Sequence, residues 1–406
     1  MNATSIQDTS ANKGLRNFGY AILTIITLIG LYAIFVRFKE GLMVTNMTQN
    51  VPWGFWVAFY IYFIGLSAGS FLLSTLIYVF KMEQYEKAGK LALIQALLCM
   101  LMAVWLIFID LGHPSRAYRV LTNWHSTSVL AWEAMFYGLY IVVIIAELYY
   151  VMRADFHFMK TGSPLSTDLV AEGKKWLMIL GIIGIPVAIG VHGGTGALFA
   201  VAKARPGWFS GLFPIIFLVS ALASGGGLLA FITSLTSKLP QPEKLKLVKS
   251  LMSLTVGVIA FDMLLFTSEI FITFYGGISH EVKSWTLTIF GPNWPVFWFV
   301  QVGLGMLAPI LIVANKNTSS SIKWLGFAGL CVVVGIIGTR LNIVIPPQIT
   351  PTFDTLPEAN HHFRFSYGYF PSINEWLVAI GSISLIIWAF IYSLKKFPVN
   401  TLHNTK

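Results

Sequence analysis

The sequence predicts an all-α polytopic membrane protein with about ten transmembrane helices. Of its 406 residues, 56% are hydrophobic and 11% are charged, and the mean hydropathy is +0.73, which a water-soluble chain of this length would not tolerate. The stretch from Trp53 to Phe80 contains no charged residue and exceeds the roughly 20 apolar residues that cross a bilayer. Apolar runs of similar length recur along the chain, separated by short polar connections.

Ten apolar spans follow a polar N-terminal segment, Met1 to Arg16, which lacks the basic start, apolar core and cleavage site of a secretory signal. In the second span, Gly65 and Gly69 form a small-residue face that allows a neighbouring helix to approach closely. The break between the fifth and sixth spans is the least distinct, because the polar connection there is very short. The predicted spans are 17–38, 53–80, 91–110, 127–152, 175–200, 208–236, 251–275, 295–314, 322–345 and 373–394.

A weak internal echo suggests two related halves. The second span begins with Trp53 and carries SAGSFLL, the sixth begins with Trp208 and carries ASGGGLL, and each is followed by three more spans. We interpret the core as two four-helix bundles with the first and last spans added at the flanks. The alternative is that patches of Gly and Ala are simply common in membrane helices. The predicted divisions are 1–50 (tail and first helix), 51–202 (first bundle), 203–348 (second bundle) and 349–406 (outer connection, last helix and tail).

The distribution of basic residues predicts the orientation. Most of the 27 Lys and Arg residues lie in the terminal segments and the even-numbered connections. Both termini are therefore expected to face the cytoplasm in a multi-pass protein of the inner (plasma) membrane. The net charge of +10 lies in short loops beside apolar spans, which argues against nucleic acid as a partner. Cys99 and Cys331 lie within apolar spans, so neither a disulfide framework nor a thiolate metal site is expected.

Polar side chains inside the spans are few. An ionised group at the bilayer centre costs roughly 2.5–3.5 kcal/mol or more, so each is expected to have a partner or a function. With the predicted orientation nearly all lie toward the outer ends of their helices; Asp262 lies near the middle, and Glu147 lies near the inner end of the fourth span. The sequence therefore predicts one polar site in the outer half of the membrane. Its candidate residues are Tyr60, Asp110, His113, Arg116, Glu133, His192, Asp262, Glu269, Gln301, Arg340 and Glu375.

Two pairs of these residues are the strongest candidates for chemistry. Asp262 and Glu269 are seven residues apart, which places them on one face of a helix, where they could relay a proton. The alternative is that both are neutral, or that one pairs with Arg340 for packing alone. Glu133 and His192 are titratable groups without an obvious partner in sequence, although a single buried histidine is often just a hydrogen-bonded core residue. His192 is the only histidine within a predicted span, so a bis-histidine haem is not expected.

The order of several motifs resembles the NrfD/PsrC family, the membrane subunits of polysulfide-reductase-type respiratory complexes. The second span, WGFWVAFYIYFIGLSAGSF, is followed by DLGHPSRAYRVL at Asp110 to Leu121. The likeness extends over most of the chain, and these segments resemble the ten-helix branch of the family. That branch includes the integral subunits of HybB-type periplasmic hydrogenase, of DsrP-type sulfur-metabolism complexes, of quinone reductase complexes and of alternative complex III. Further matching segments are HGGTGAL from His192, PGWFSGLFPIIF from Pro206, the Glu269 region, TRLN from Thr339 and YFPSINEW from Tyr369.

The resemblance implies a subunit without haem or metal of its own that binds a quinone or quinol, such as menaquinone, near the outer membrane face. It implies electron exchange with a ferredoxin-like partner subunit that holds iron–sulfur clusters. That partner would serve a catalytic subunit, namely a molybdopterin enzyme, a hydrogenase or a multihaem cytochrome. Some eight-helix members hold the quinone with a histidine near the position of Tyr60, so that contact is expected to move to His192. Expected quinone contacts are Tyr60, Asp110, His113, Arg116, His192 and Arg340, and expected proton-exchanging groups are Glu133, His192, Asp262 and Glu269.

Two other functions remain open at this point. An ion or solute transporter would also contain duplicated bundles and intramembrane acids, although transporters place their site near the midplane between interrupted helices. Pro186 and Pro214 only partly suggest such interruptions. The third possibility is a membrane anchor without quinone chemistry.

Overall fold

The fold is an all-α bundle of ten long helices, as predicted. The computed structural model describes residues 10–353, 355–359 and 362–399, and the ends of the predicted cytoplasmic tails, 1–9 and 400–406, lie outside them. Nine helices in the described ranges are long and apolar enough to cross a membrane, and α2 contains a shorter apolar stretch, Phe55–Gly69. The ten helices are α1 (Ser10–Glu40), α2 (Phe55–Tyr78), α3 (Glu86–Asp110), α4 (Val129–Thr161), α5 (Thr167–Ala200), α6 (Phe213–Thr236), α7 (Gln241–Gly276), α8 (Val296–Ala314), α9 (Ile322–Val344) and α10 (Ile373–Lys396).

Several helices extend beyond the apolar runs that predict them. The helix α5 begins at Thr167 and α7 at Gln241, which is about two and about three turns before their predicted spans. Lys, Glu and Gln are good helix formers, so the helix continues past the apolar core into polar surroundings. The sixth span is shorter than predicted. It begins at Phe213 because the preceding segment makes a turn in which Gly207 has a φ of +76°.

Consecutive helices run antiparallel, so the connections alternate between two ends of the bundle. At one end, the backbone N–H of Asn46 donates to Glu375 Oε2 at 3.1 Å, which joins the first connection to the first turn of α10. At the other end, Lys90 Nζ lies 2.6 Å from Asp155 Oδ2, which joins the start of α3 to the last turns of α4. We call these the Glu375 end and the Lys90 end.

The centre of the bundle is the contact between α2 and α6. A Cβ atom added at Gly69 would lie 2.6 Å from the Cα atom of Gly225, so the two backbones are in direct contact there. At the Glu375 end, the rings of Trp53 and Trp208 stack with centroids 5.3 Å apart and an interplanar angle of 25°. Gly69 and Gly225, like Trp53 and Trp208, belong to the two similar stretches of sequence. These similar stretches therefore meet where α2 and α6 cross. The division of the core into two bundles stays a prediction.

The first and last helices pack on each other at the flank. A Cβ atom added at Gly30 of α1 would lie 2.3 Å from the Cα atom of Gly381 of α10. Thr27 Oγ1 and Ser384 Oγ form a hydrogen bond of 2.9 Å across the same contact. The rest of α1 exposes most of its apolar side chains, as expected of a helix that faces lipid.

The prolines of the two halves do not interrupt their helices. Pro186 lies inside the continuous helix α5, and Pro214 lies in the first turn of α6, where its missing N–H has no helical acceptor in any case. The irregular helix is α8, which the sequence does not reveal. Its first part, Val296–Leu307, is a π-helix. Gly335 of α9 packs directly on it, and an added Cβ there would lie 2.0 Å from the Cα atom of Gly305.

The long ninth connection covers the Glu375 end. Its sequence from Pro346 to Pro371, rich in Pro, Phe, Tyr and His, predicts an ordered cap or docking surface rather than a helix. In the structure Pro346–Ile349 forms a helical turn, because proline is tolerated at the start of a helix. Gln348 in that turn is fully buried. Its Nε2 donates to the carbonyl of Trp53 at 2.7 Å, and its Oε1 accepts from the N–H of Trp53 at 3.0 Å. The connection thereby fixes the beginning of α2.

We predict that Gly69→Ala lowers the stability of the folded chain by about 1–3 kcal/mol, because the new methyl group would overlap the backbone of α6. The measurement is thermal unfolding in detergent, followed with a dye that reacts with the buried thiols of Cys99 and Cys331. Gly138→Ala on α4 is the matched control, since a Cβ atom there meets nothing within 4 Å. Equal unfolding temperatures for the two variants would contradict the close contact of α2 and α6.

Candidate functional site

A group of hydrogen-bonded side chains lies between α2, α4 and α5, and we call Tyr60, Glu133, Tyr137 and Thr195 the Glu133 cluster. Glu133 Oε1 accepts from the hydroxyl of Tyr60 at 3.2 Å and from that of Tyr137. The two tyrosine hydroxyls also contact each other, and Tyr137 lies 3.4 Å from Thr195 Oγ1. Glu133 is 1% exposed, and its second oxygen, Oε2, has no hydrogen-bond partner among the described residues. The cluster thus holds one carboxylate oxygen firmly and leaves the other available.

His192 lies one turn before Thr195 on α5 and is 1% exposed. Its ring meets the ring of Tyr140 edge to face, with centroids 6.0 Å apart. Among the described residues neither ring nitrogen has a hydrogen-bond partner. Leaving such a buried polar atom unpaired costs about 1–3 kcal/mol. His192 therefore differs from a core histidine whose ring nitrogens are hydrogen-bonded.

Arg340 connects the two halves of the interior. Its Nη2 donates to Ser220 Oγ at 2.8 Å, while Nε and Nη1 have no partner in the described part of the chain. The guanidinium carbon lies 4.8 Å from the centroid of the Phe217 ring. The charge lies within electrostatic range of both Asp262 and His192. Arg340 is therefore the positive charge shared by the first-half and second-half polar groups.

A cavity lies between α6, α7, α8 and α9, and we call it the Asp262 cavity. Asp262 and Glu269 both line it, as expected from their spacing on one helix face. Glu269 Oε2 accepts from Ser210 Oγ at 2.8 Å. Gln301 on the π-helix lines the cavity too, and its Oε1 accepts from Asn342 Nδ2 at 2.7 Å.

The structure divides the single polar pocket that the sequence predicts. The Asp262 cavity is lined by neither Tyr60, Glu133 nor His192. Phe217 forms part of its wall, and Arg340 lies over that ring, so these two side chains occupy the space between the two polar groups. Sequence position alone gives the depth of each residue in the membrane and not the direction in which it points around the helix axis.

Two candidates belong to the cap at the Glu375 end. Glu375 closes the first turn of α10 in a capping box with Ser372 and accepts from the hydroxyl of Tyr369. Burial, reinforced by the Glu375 carboxylate, raises the pKa of Tyr369, so its hydroxyl remains a donor at neutral pH. Asp110 lies half-buried at the end of α3, where Arg37 and Glu375 are the nearest charges. Glu375 therefore has a structural role.

His113 and Arg116 lie apart from both polar groups. They are exposed on the connection between α3 and α4, where they line an open recess of about 910 Å³ together with Arg119 and His125. The predicted contacts of His113 and Arg116 with a quinone head would have to be made in this surface recess.

Three polar residues of these sites are missed by sequence reasoning. Tyr137 is one turn after Glu133, Thr195 is one turn after His192, and Asn342 follows Arg340 by two positions. The first two share a helix face with a residue already singled out, so helical spacing could have found them. Hydroxyl and amide side chains are common in membrane helices, and only their contacts distinguish these from the rest.

The fold and its sites define the class: a polytopic helical membrane protein whose interior holds groups of buried polar side chains. The chain belongs to the family described as polysulphide reductase, NrfD, whose sequence model matches residues 43–352. That match spans more than half of the chain and confirms the resemblance seen in its motifs.

Named relatives extend over most of the chain. It is 38% identical to the C subunit of selenate reductase from Mesobacillus selenatarsenatis, over 95% of each protein. It is 29% identical to the Hdr-like menaquinol oxidoreductase integral membrane subunit of Archaeoglobus fulgidus, over 93% of this chain and 92% of the relative. It is 22% identical to the integral membrane subunit of menaquinone reductase from Nitratidesulfovibrio vulgaris, over 91% of this chain and 88% of the relative.

We predict that Asp262→Asn and Arg340→Gln have non-additive effects on stability, because the two charges interact across the interior. The double variant should lose less than the sum of the single losses, with a coupling of about 0.5–3 kcal/mol. Thermal unfolding of the four proteins in a double-mutant cycle measures it. Asp262→Asn combined with Arg37→Gln is the control, since Arg37 instead donates to the carbonyls of Ile109 and Leu111. Additive losses in the first pair would exclude the interaction.

Proposed function

We propose that this chain is the quinone-reactive integral subunit of a respiratory reductase complex. In this proposal a quinone or quinol head group binds beside the Glu133 cluster. Electrons pass between it and a partner subunit that holds iron–sulfur clusters on the outer side of the inner membrane. The observation that carries the proposal is the set of buried atoms without partners at one place, namely Glu133 Oε2 and both ring nitrogens of His192.

The chemistry of a quinol fits these atoms. A quinol has two hydroxyl groups, and each must be held and must lose its proton when the molecule is oxidised. Glu133 Oε2 can accept a hydrogen bond and then a proton from one hydroxyl, while Tyr60 and Tyr137 hold Oε1 and keep the carboxylate in place. His192 can hydrogen-bond the other oxygen through a ring nitrogen.

Arg340 supplies the electrostatic part of the proposal. A quinol that gives up a proton becomes negative before its electrons leave, and an anion in a low-dielectric interior is costly. A fixed guanidinium within electrostatic range of His192 lowers that cost without moving. Reduction of a quinone at the same place would use the same groups in reverse, with the proton returned by Glu133.

The names of the relatives support the assembly. One is named as a subunit of a selenate reductase, one as an integral membrane subunit of a menaquinol oxidoreductase and one as an integral membrane subunit of a menaquinone reductase. All three names describe subunits of oxidoreductases, and two of them refer to menaquinone or its quinol. We infer the same place for this chain, with menaquinone as the quinone and a catalytic subunit beyond the iron–sulfur partner. The positions of the basic residues support cytoplasmic termini, and in this proposal the Glu375 end faces outward.

We predict that Glu133→Gln or His192→Ala lowers quinol-coupled turnover of the intact complex by about tenfold or more. Each tenfold loss corresponds to ~1.4 kcal/mol of lost transition-state stabilisation. The first change removes the proton acceptor, and the second removes a hydrogen bond to the other oxygen. The measurement is quinol oxidation in membranes, with co-purification of the partner subunits as the check on assembly.

The matched control for this experiment is Glu86→Gln, which changes an exposed carboxylate at the Lys90 end and should leave turnover unchanged. Full turnover in both Glu133→Gln and His192→Ala would remove the Glu133 cluster from the quinone site. A solute flux into sealed vesicles that these variants abolish, with quinol oxidation intact, would instead support the transporter.

A further inference from the structure

The Asp262 cavity lies in the second half of the chain and takes no part in the chemistry proposed above. Its lining comes from α6, α7, α8 and α9 and from the segment that holds Ser284 and Trp285. Aromatic and aliphatic side chains form most of the wall, including Phe213, Phe217, Phe266, Trp285 and Ile343. Such a wall suits a flat apolar molecule that enters from the membrane.

Three polar atoms of this cavity have no partner among the described residues. They are Asp262 Oδ1, Gln301 Nε2 and Asn342 Oδ1. Asp262 is 5% and Gln301 1% exposed, so solvent does not satisfy them. The hydrogen bond from Asn342 Nδ2 to Gln301 Oε1 fixes both amides and leaves the Gln301 NH₂ group as a donor and Asn342 Oδ1 as an acceptor. A ligand with both an acceptor and a donor would complete the set.

The backbone around Gln301 is built for close approach. Gln301 lies in the π-helix at the start of α8, and π-helical turns occur mostly at functional sites. On α9, a Cβ atom added at Gly338 would lie 3.0 Å from the backbone nitrogen of Gln301. The residue after Gly338 is Thr339, which lines the same cavity.

The polar residues of the cavity lie at positions along the helices of the second half that are similar to those of the Glu133 cluster in the first half. Glu133 and Gln301 each lie just over one turn inside the third long helix of their half. Thr195 and Thr339 each follow a glycine in the fourth. Thr195 contacts Tyr137 in the Glu133 cluster, and Thr339 lines the cavity with Gln301. The second half thus repeats the polar positions but has a carboxamide where the first has a carboxylate.

The charged residues that line the cavity indicate which classes of ligand it can bind. The residues that line the cavity include the carboxylates Asp262 and Glu269 and no Lys, Arg or His, so an anion is disfavoured. A metal or ammonium ion offers no acceptor for the Gln301 NH₂ group. A neutral ring with a carbonyl oxygen accepts from that group, and a ring hydroxyl can donate to Asp262 or Asn342.

We propose that the Asp262 cavity is a second binding site for a quinone-class molecule, held by Gln301, Asn342 and Asp262 and separate from the site at Glu133. The inference rests on the proposed function only for the class of ligand. The geometry of the cavity and its unpartnered atoms are independent of it. Because Gln301 carries a carboxamide, this site binds the head group without a proton acceptor at that position.

The test is photoaffinity labelling of the full chain in native membranes, with its partner subunits, by an azido-naphthoquinone that carries a short isoprenoid tail. Peptides of α4 and α5 report the Glu133 site, and peptides of α7, α8 and α9 report the cavity. Both sets should be labelled in the unaltered protein, and excess unlabelled menaquinone should suppress both. Gln301→Leu should reduce labelling of the second set by about tenfold, because it removes the donor, and leave the first set unchanged.

Two further variants keep the test decisive. Asp262→Asn preserves the shape of the side chain and should reduce labelling of the second set even if Gln301→Leu fails to fold. Gln95→Leu is the matched control, because Gln95 donates from its amide to the carbonyl of Gly225 at 3.2 Å and lies outside the cavity lining. It should change neither set of peptides.

The possible results separate the two proposals. Labelling of α4 and α5 alone overturns the second site and supports the Glu133 site. Labelling of α7, α8 and α9 alone supports the cavity and overturns the placement of the head group at Glu133. Cavity labelling that unlabelled menaquinone does not suppress, or that persists in both Gln301→Leu and Asp262→Asn, overturns the second site.

Discussion

The direct contact between Gly69 of α2 and Gly225 of α6 sets the arrangement of the rest of the interior. In lipid, helices gain little from burying apolar surface against each other, so close backbone packing at small residues decides which helices meet. Around this contact, Gly65 leaves the space in which the Arg340 guanidinium lies beside Ser224. A larger residue at either glycine would separate the helices and move the charge that both polar groups share.

The same low-dielectric interior explains how the polar residues are distributed. At the Lys90 end, Lys90 and Asp155 neutralise each other, and at the Glu375 end the caps of α2 and α10 use the hydrogen bonds of Gln348 and Glu375. These groups are satisfied and hold the structure together. Single buried atoms without partners among the described residues occur elsewhere, as at Asp110 and Asn374, whereas the Glu133 cluster with His192 and the Asp262 cavity each hold several. Native proteins seldom keep such atoms, since each costs about 1–3 kcal/mol, and this is why function is assigned there.

The two halves of the chain differ in a way that a simple duplication would not require. The first half has phenols and a carboxylate packed against one another, whereas the second half has amides and the carboxylates of Asp262 and Glu269 around a cavity. Glu133 can exchange a proton, whereas Gln301 can only donate and accept hydrogen bonds. If both halves descend from one bundle, a carboxylate occupies this position in one of them and an amide in the other.

The sequence by itself determined the fold class, the number of helices and the family, because each depends on properties that are local in the chain. Twenty apolar residues make a span, and motifs such as DLGHPSRAYRVL and HGGTGAL carry the family resemblance wherever they fold. It also identified Glu133, His192 and Arg340 as unusual, since ionisable groups are rare inside membrane helices. Tertiary structure alone decided which of them meet. Depth in the membrane follows from position in a span, but the direction of a side chain depends on helix rotation and on π-helical segments such as Val296–Leu307. For that reason the single pocket expected from the sequence is two groups of polar residues with Arg340 between them.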